Sequence, residues 1–312
     1  MTAAPLREAL VPFLEQTKSG SPNAPTAAGN PDASAETILE TLAGLIYWNC
    51  HCRGPETGNS GVPGRDREPE WQFRAALSDA NTGSGPWQQG WVVRGAEYDG
   101  RVPVEQGGLL LWAPVTDVRG TPEIGQSVDV RFPNEYRNLY PGYYVALGNA
   151  DAGNQVERLR FYWHIAAGGA ALVVERLCTA FNTANVAFRF KLLGDPARYS
   201  RTDAGVLYVP LAEIEAALPV VRHVYDDVRD QLRPTVSAFV HALAPGLGLA
   251  EDPADSGSFG MHRSRLLAPL MLAARRAHAA IDQLLERIRE TGYDPDRFFV
   301  NPGSTRDYPT WT

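Results

Sequence analysis

The sequence predicts an α+β fold, with small, mainly antiparallel sheets packed with helices, a helical N-terminal region and a long C-terminal helix. Three observations lead there. Apolar residues recur at helical spacing near both ends, as in the face Ile38, Leu39, Leu42, Leu45, Ile46 and Trp48. Residues 89–132 carry strand-like runs such as WVVRGAEYDGRVPVEQGGLLLWAPV and SVDVRFP. Residues 158–210 change from period two to helical period and back again.

In chain order, residues 5–17 and 36–52 read as amphipathic helices, joined by a Ser/Pro/Ala/Gly linker over residues 19–34. Residues 53–87 are polar, rich in Gly and Pro, and irregular over most of their length, as a mobile loop or a lid over a peptide groove would be. Asp99-Gly100 marks a turn within the strand-like region. Tyr136, Tyr140, Tyr143 and Tyr144 follow, either lining an opening for substrate or packing inside with their hydroxyls tied off.

A strand over residues 158–165 puts Arg158, Arg160, Tyr162 and His164 in one row on one face. Gly168-Gly169 ends it, and a helix begins at Ala170 with Leu172, Val173, Leu177, Cys178 and Phe181 on one stripe. A second strand carries Phe188 and Phe190 on one face, with Arg189 and Lys191 on the other. After a turn at Gly194-Asp195-Pro196 come Arg198, Arg201 and a short strand over residues 206–209. Residues 211–218 and 220–243 read as helices, the second interrupted near Pro234, and residues 250–257 as a loop. One long helix over residues 261–291 follows, with Gly292 as its C-cap, then an ordered cap or strap to Thr312. The division expected is a helical N-terminal region with a long polar loop, residues 1–88, and an α+β catalytic domain, residues 89–312.

Composition bounds the function. The net charge of −7 argues against a general nucleic-acid binder. No apolar run approaches the ~18–20 residues that span a bilayer, and the opening residues lack a signal-type apolar core. A soluble, cytoplasmic protein without membrane or nucleic-acid partners is expected. Cys50, Cys52 and Cys178 form no C-x-x-C pair, which argues against a disulfide framework. Cys50-His51-Cys52 has no second ligand cluster after it, so no metal site is expected.

Lysine usage singles out one residue. The chain has 27 arginines and only two lysines, Lys18 and Lys191. Arginine cannot give up its proton, whereas a lysine amine can act as a base once its pKa is pushed down. A lysine in mid-strand, where arginine is the rule, suggests that the amine itself is needed. Arg263, in the first turn of the last helix, works against the dipole there unless an anion lies between them.

The order His164, helix, Lys191, Arg201, Tyr208 resembles the phosphothreonine lyases secreted by some enteric pathogens. More closely, NEYRNLYPGYYVALGNA, FYWHI, FRFKLL, RTDAGVLYV and SFGMHRSRLLAPLMLA resemble the HopA-type effector domain family, over roughly residues 40–300. That family includes lyases of lanthipeptide (class V) and thioamide-peptide biosynthesis, paired with a separate kinase. The resemblance implies elimination of phosphate from phosphoserine or phosphothreonine of a ribosomal precursor peptide, giving dehydroalanine or dehydrobutyrine without a metal or organic cofactor. Lys191 would be the base and His164 the acid, with Tyr162 bonding the phosphate or stabilising the enolate-like charge. Arg201 would grip the phosphate, with Arg198, Arg263, Arg160 and Tyr208 as further contacts. The lyases place a lysine near the position of Tyr162, which is where this sequence departs from them. Two alternatives stand beside this reading: a non-catalytic subunit docking phosphopeptides for a kinase, and a secreted effector acting on host kinases.

Overall fold

The computed structural model describes residues 5–15, 34–53, 70–137, 139–153, 157–253 and 257–311. The linker expected over residues 19–34 lies outside these but for Ser34, as do residues 54–69 of the loop expected over residues 53–87. The fold is α+β, built on two mainly antiparallel sheets.

Two helices lead in: α1 (Pro5–Glu15) and α2 (Ala35–Ile46), continued by a π-helical turn, Tyr47–Cys52. Ser34 starts α2 because its hydroxyl accepts the Thr37 N–H at 3.2 Å. A short helix, α3 (Glu70–Asp79), precedes the smaller sheet. That sheet holds β1 (Trp87–Val93), β2 (Arg101–Gln106), β3 (Leu109–Pro114), β4 (Val118–Arg119) and β5 (Ser127–Arg131), in the order β3-β2-β1-β5-β4. Its buried face, Trp91, Val93, Val102, Val104, Val128 and Val130, is its own small core.

The larger sheet comprises β6 (Glu135–Tyr136), β7 (Tyr143–Leu147), β8 (Arg158–Trp163), β9 (Arg189–Leu193), β10 (Gly205–Pro210), β11 (His241–Ala244) and β12 (Leu247–Glu251). Its order is β11-β12-β8-β10-β9-β7-β6. One face carries Leu159, Phe161, Trp163, Phe190, Leu192, Leu207 and Val209, all fully buried. It packs against α4 (Ala170–Thr183) and α5 (Ile214–Val228) in the main core. The other face is half covered: Tyr162, Val206 and Ala250 pack with α1, α2, α6 (Phe259–Arg276) and α7 (Ile281–Glu290).

Three sequence expectations change. Residues 241–251 form a hairpin rather than the end of a helix and a loop, because β12 pairs along its whole length with β8, from Leu247 opposite Trp163 to Glu251 opposite Leu159. Tertiary pairing outweighs local preference there. The helices expected over 211–218 and 220–243 are instead a 3₁₀ turn, Leu211–Glu213, running into the single helix α5. The long helix expected over 261–291 is two, broken where His278 takes a left-handed conformation (φ 48°). The break lets Leu284, Leu285 and Ile288 of α7 join the core with Leu6, Leu10 and Phe13 of α1. The tail forms a strap: Tyr308 donates to Glu251 at 3.0 Å and the Trp311 N–H donates to the Leu243 carbonyl.

Candidate active site

Antiparallel register builds the site. Across the half-covered face, Tyr162 of β8, Val206 of β10, Lys191 of β9 and Val145 of β7 stand side by side. Two residues on, and therefore on the same face, Arg160, Tyr208 and Arg189 form the next row. The two rows floor a cavity of about 270 Å³. Its walls come from Tyr47 and His51 of the π-helical turn, Tyr140 and Tyr143, Asp203, Asp252, and Gly257-Ser258 at the start of α6.

The cavity is cationic. Arg158, Arg160, Arg189 and Lys191 face only two carboxylates, Asp203 and Asp252. Arg160 is anchored, its Nε 2.7 Å from Asp252 Oδ1 and its Nη2 2.6 Å from the Gly257 carbonyl. Its guanidinium and that of Arg189 lie 5.1 and 5.3 Å from the Tyr208 ring centre. Neither Arg189 nor Lys191 has a carboxylate within ion-pair distance among the described residues; the Lys191 ammonium sits 3.8 Å from the Tyr143 ring centre and 5.3 Å from that of Tyr140. Burial, then the charge of Arg160, and more weakly those of Arg189 and Arg201, lower the Lys191 pKa against an opposing pull from Asp203. Ser258 caps α6, its hydroxyl accepting the Met261 N–H at 3.4 Å, so the positive end of that helix meets the cavity wall.

Tyr162 keeps its proton, because burial raises its pKa more than the nearby Arg160 lowers it. His51 stands edge-on to it at 5.2 Å between ring centres, with Nδ1 2.8 Å from the Ser237 hydroxyl and Nε2 4.0 Å from Asp203 Oδ2. Burial drives the His51 pKa down to about 4, so the ring is neutral near pH 7. Its position depends on Gly260: a Cβ there would lie 2.2 Å from His51 Cδ2. Burial pushes the Asp203 pKa up, but the Arg201 fork outweighs it and holds the carboxyl at about 2.

The residues singled out in the sequence fall into two groups. Lys191, Tyr162, Arg160 and Tyr208 share the cavity. Four others do not line it. Arg201 turns its fork on Asp203, with Nε 2.8 Å from Oδ1 and Nη2 2.6 Å from Oδ2, and also donates to the Tyr47 hydroxyl at 2.8 Å. It shapes the wall through Asp203 and offers no free fork to a phosphate. His164 shares the face of Tyr162 one step further along, where Nδ1 meets the Thr235 carbonyl at 2.9 Å and Ser200 backbone approaches the ring. Arg198 packs its guanidinium beside Gly142. Arg263 is fully buried and binds the Phe298 and Val300 carbonyls, each at 3.0 Å, together with Tyr293 and Asn301. It ties the C-terminal strap to α6, so its charge at that helix start is spent on carbonyls.

Of the four tyrosines, Tyr140 and Tyr143 line the cavity, Tyr144 is in the core and Tyr136 lines a neighbouring groove. Sequence reasoning did not select His51, Tyr47, Asp203, Asp252 or Arg189 as site residues. Arg189 was legible by its period-two relation to Lys191. The others arrive by long-range packing, for which the sequence carries no local signal. Among the described residues no cluster of three or more His, Cys, Asp or Glu is placed to hold a metal.

A model of the HopA1 effector protein family matches residues 135–300, the span holding both cavity-floor rows and the start of α6. The chain belongs to the HopA1 effector protein family. Two solved structures are similar to this HopA1-family chain. One is the effector protein from Pseudomonas syringae pv. tomato strain DC3000, 17% identical, covering 95% of this chain and 98% of that one at a TM-score of 0.48. The other is the effector protein from Pseudomonas syringae pv. syringae strain 61, 14% identical, covering 95% of each chain at a TM-score of 0.46. No curated protein matches the chain. Among the described residues no helix is long and apolar enough to cross a membrane.

Proposed function

We propose that this HopA1-family chain is a lyase that removes phosphate from phosphoserine or phosphothreonine in a polypeptide. One observation carries the reading: an amine of lowered pKa, without a carboxylate partner among the described residues, stands in one row with a protonated phenol on the floor of a cationic cavity. The neutral Lys191 amine takes the proton from the substrate Cα. The electrons released form the Cα=Cβ double bond as the Cβ–O bond breaks, and that bond's electron pair leaves on the bridging oxygen of the phosphate. Tyr162 gives its proton to that oxygen, a role its place in the cavity suits better than that of His164. Arg160, Arg189 and the start of α6 offset the phosphate charge. The products are dehydroalanine or dehydrobutyrine and inorganic phosphate, and the scheme uses no metal or organic cofactor.

The substrate proposed is a ribosomal precursor peptide phosphorylated by a separate kinase. The family description favours a second reading of the same chemistry, in which a secreted effector acts on a host polypeptide. A phosphothreonine peptide incubated with the purified chain and examined by mass spectrometry tests both. Loss of phosphoric acid, with a product that adds a thiol, supports the lyase. Recovery of the free hydroxyl would make the chain a phosphatase, and an unchanged peptide that still binds would make it a docking subunit.

A further inference from the structure

The cavity does not end at the Arg160–Tyr208–Arg189 row. Arg158, Arg189 and Tyr208 also line a second hollow of about 240 Å³, whose remaining wall is mixed: apolar Pro86, Phe132, Leu147, Phe188 and Pro210 stand beside Tyr136 and Asp151. Register continues the floor, since Pro210 lies opposite Arg158 one step beyond Tyr208 and Arg160. Three rows therefore run in line: Tyr162–Lys191, then Arg160–Arg189, then Arg158–Pro210. Four residues of strand separate the first row from the third, about 13 Å. An extended peptide rises by nearly the same step per residue, so about four residues of substrate span the rows. The far rim is shaped by the loop Ala150–Gly153 and by Gln88 of β1.

We infer that this second hollow binds an extended apolar segment of the substrate polypeptide, on one side of the phosphorylated residue and within about four residues of it. This rests on the reading that the first cavity holds the phosphorylated side chain. The division of labour follows from the linings. Arg160, Lys191 and the carboxylates Asp203 and Asp252 belong to the first cavity alone, whereas Pro86, Phe132, Leu147, Phe188 and Pro210 belong to the second alone, where a flanking apolar side chain would be taken out of water. The shared wall of Arg158, Arg189 and Tyr208 joins the two, which a separate ligand site would not need. Substrate selection would accordingly come from an apolar neighbour of the phosphorylated Ser or Thr, read by a part of the site that takes no part in bond breaking.

The test uses the full chain and fluorescent peptides in which a phosphonate replaces the phosphothreonine ester, so that no elimination occurs during binding. Three probes suffice: the blocked single residue, the residue with four apolar residues added before it, and with four added after it. One extension should tighten binding by about tenfold or more, as expected for burying one large apolar side chain, and the other should not. Ala152→Trp, or Ala150→Trp on the same rim, should remove that gain and leave the single residue bound as before. Equal affinities for all three probes with the unaltered chain would overturn the inference, as would a gain that survives both substitutions. Parallel mass spectra with the ester peptides keep the two claims apart. An extension-dependent affinity without phosphate loss would retain the groove and reject the lyase, and phosphate loss without it would do the reverse.

Discussion

Replacing Lys191 by arginine separates the two things that residue does in the proposed reaction. A side chain that can lie over the Tyr143 ring, now 3.8 Å from the Lys191 nitrogen, stays, and a fixed positive charge replaces the amine that the reaction needs neutral. The base is lost, because a guanidinium does not give up its proton in this pH range. A positioned proton acceptor is worth about 10²–10⁴-fold in rate, so kcat should fall at least about 100-fold, close to 3 kcal/mol of barrier. Affinity for the non-eliminable phosphonate peptide should hold or rise, since the guanidinium is a permanent cation beside the anion. Phosphate release under saturating phosphopeptide gives kcat, peptide anisotropy gives the affinity, and circular dichroism confirms folding. A folded Lys191→Arg chain with kcat within about threefold of the parent would refute the assignment of Lys191 as base.

Three further outcomes are expected. Burial and the neighbouring guanidinium charges lower the Lys191 pKa, so the rise of kcat/KM with pH should have its inflection below the usual lysine range. Arg189→Gln, which removes one of those charges, should move that inflection to higher pH; no movement would mean that another group controls the limb. His51 has its pKa depressed from 6.5 to about 4, so it is stabilising in its neutral form and that contribution is lost as pH falls from 6.5 through 4. The loss is about 3 kcal/mol for the 6.5 to 4 shift, and urea unfolding across this range should show a correspondingly smaller loss in His51→Gln, which keeps that of His164, also lowered by burial. Gly260→Ala forces a methyl group against the His51 ring and should cost about 1–3 kcal/mol as overpacking, read as a lower urea midpoint; an unchanged midpoint would mean the ring moves freely.

How much of this was legible in the sequence depends on the range of the interaction involved. Alternation alone assigned Arg160, Tyr162, Arg189 and Lys191 to the faces they occupy, because period two is a property of the strand itself. The scarcity of lysine marked Lys191 without any structure. The 241–251 hairpin was not legible, since its strand character comes from pairing with β8. Arg263 was misleading for a related reason: the carbonyls that use its charge belong to residues 298 and 300, far along the chain. Arg201 was placed by its rank in the motif order, whereas the structure shows its fork closed on Asp203, two residues away. His51 reaches the cavity only because α2 packs on α6 and Gly260 leaves room for its ring. Nothing within ten residues of His51 indicates that.

The central claim is that a carbon–oxygen bond breaks. Elimination in water enriched with heavy oxygen tests it most directly, by mass spectrometry of both products from a phosphothreonine peptide. The proposed reaction predicts a dehydrated peptide and phosphate free of solvent oxygen, because the bridging oxygen leaves with the phosphorus. Heavy oxygen in the phosphate, with a free hydroxyl on the peptide, would show phosphorus–oxygen cleavage and contradict the account.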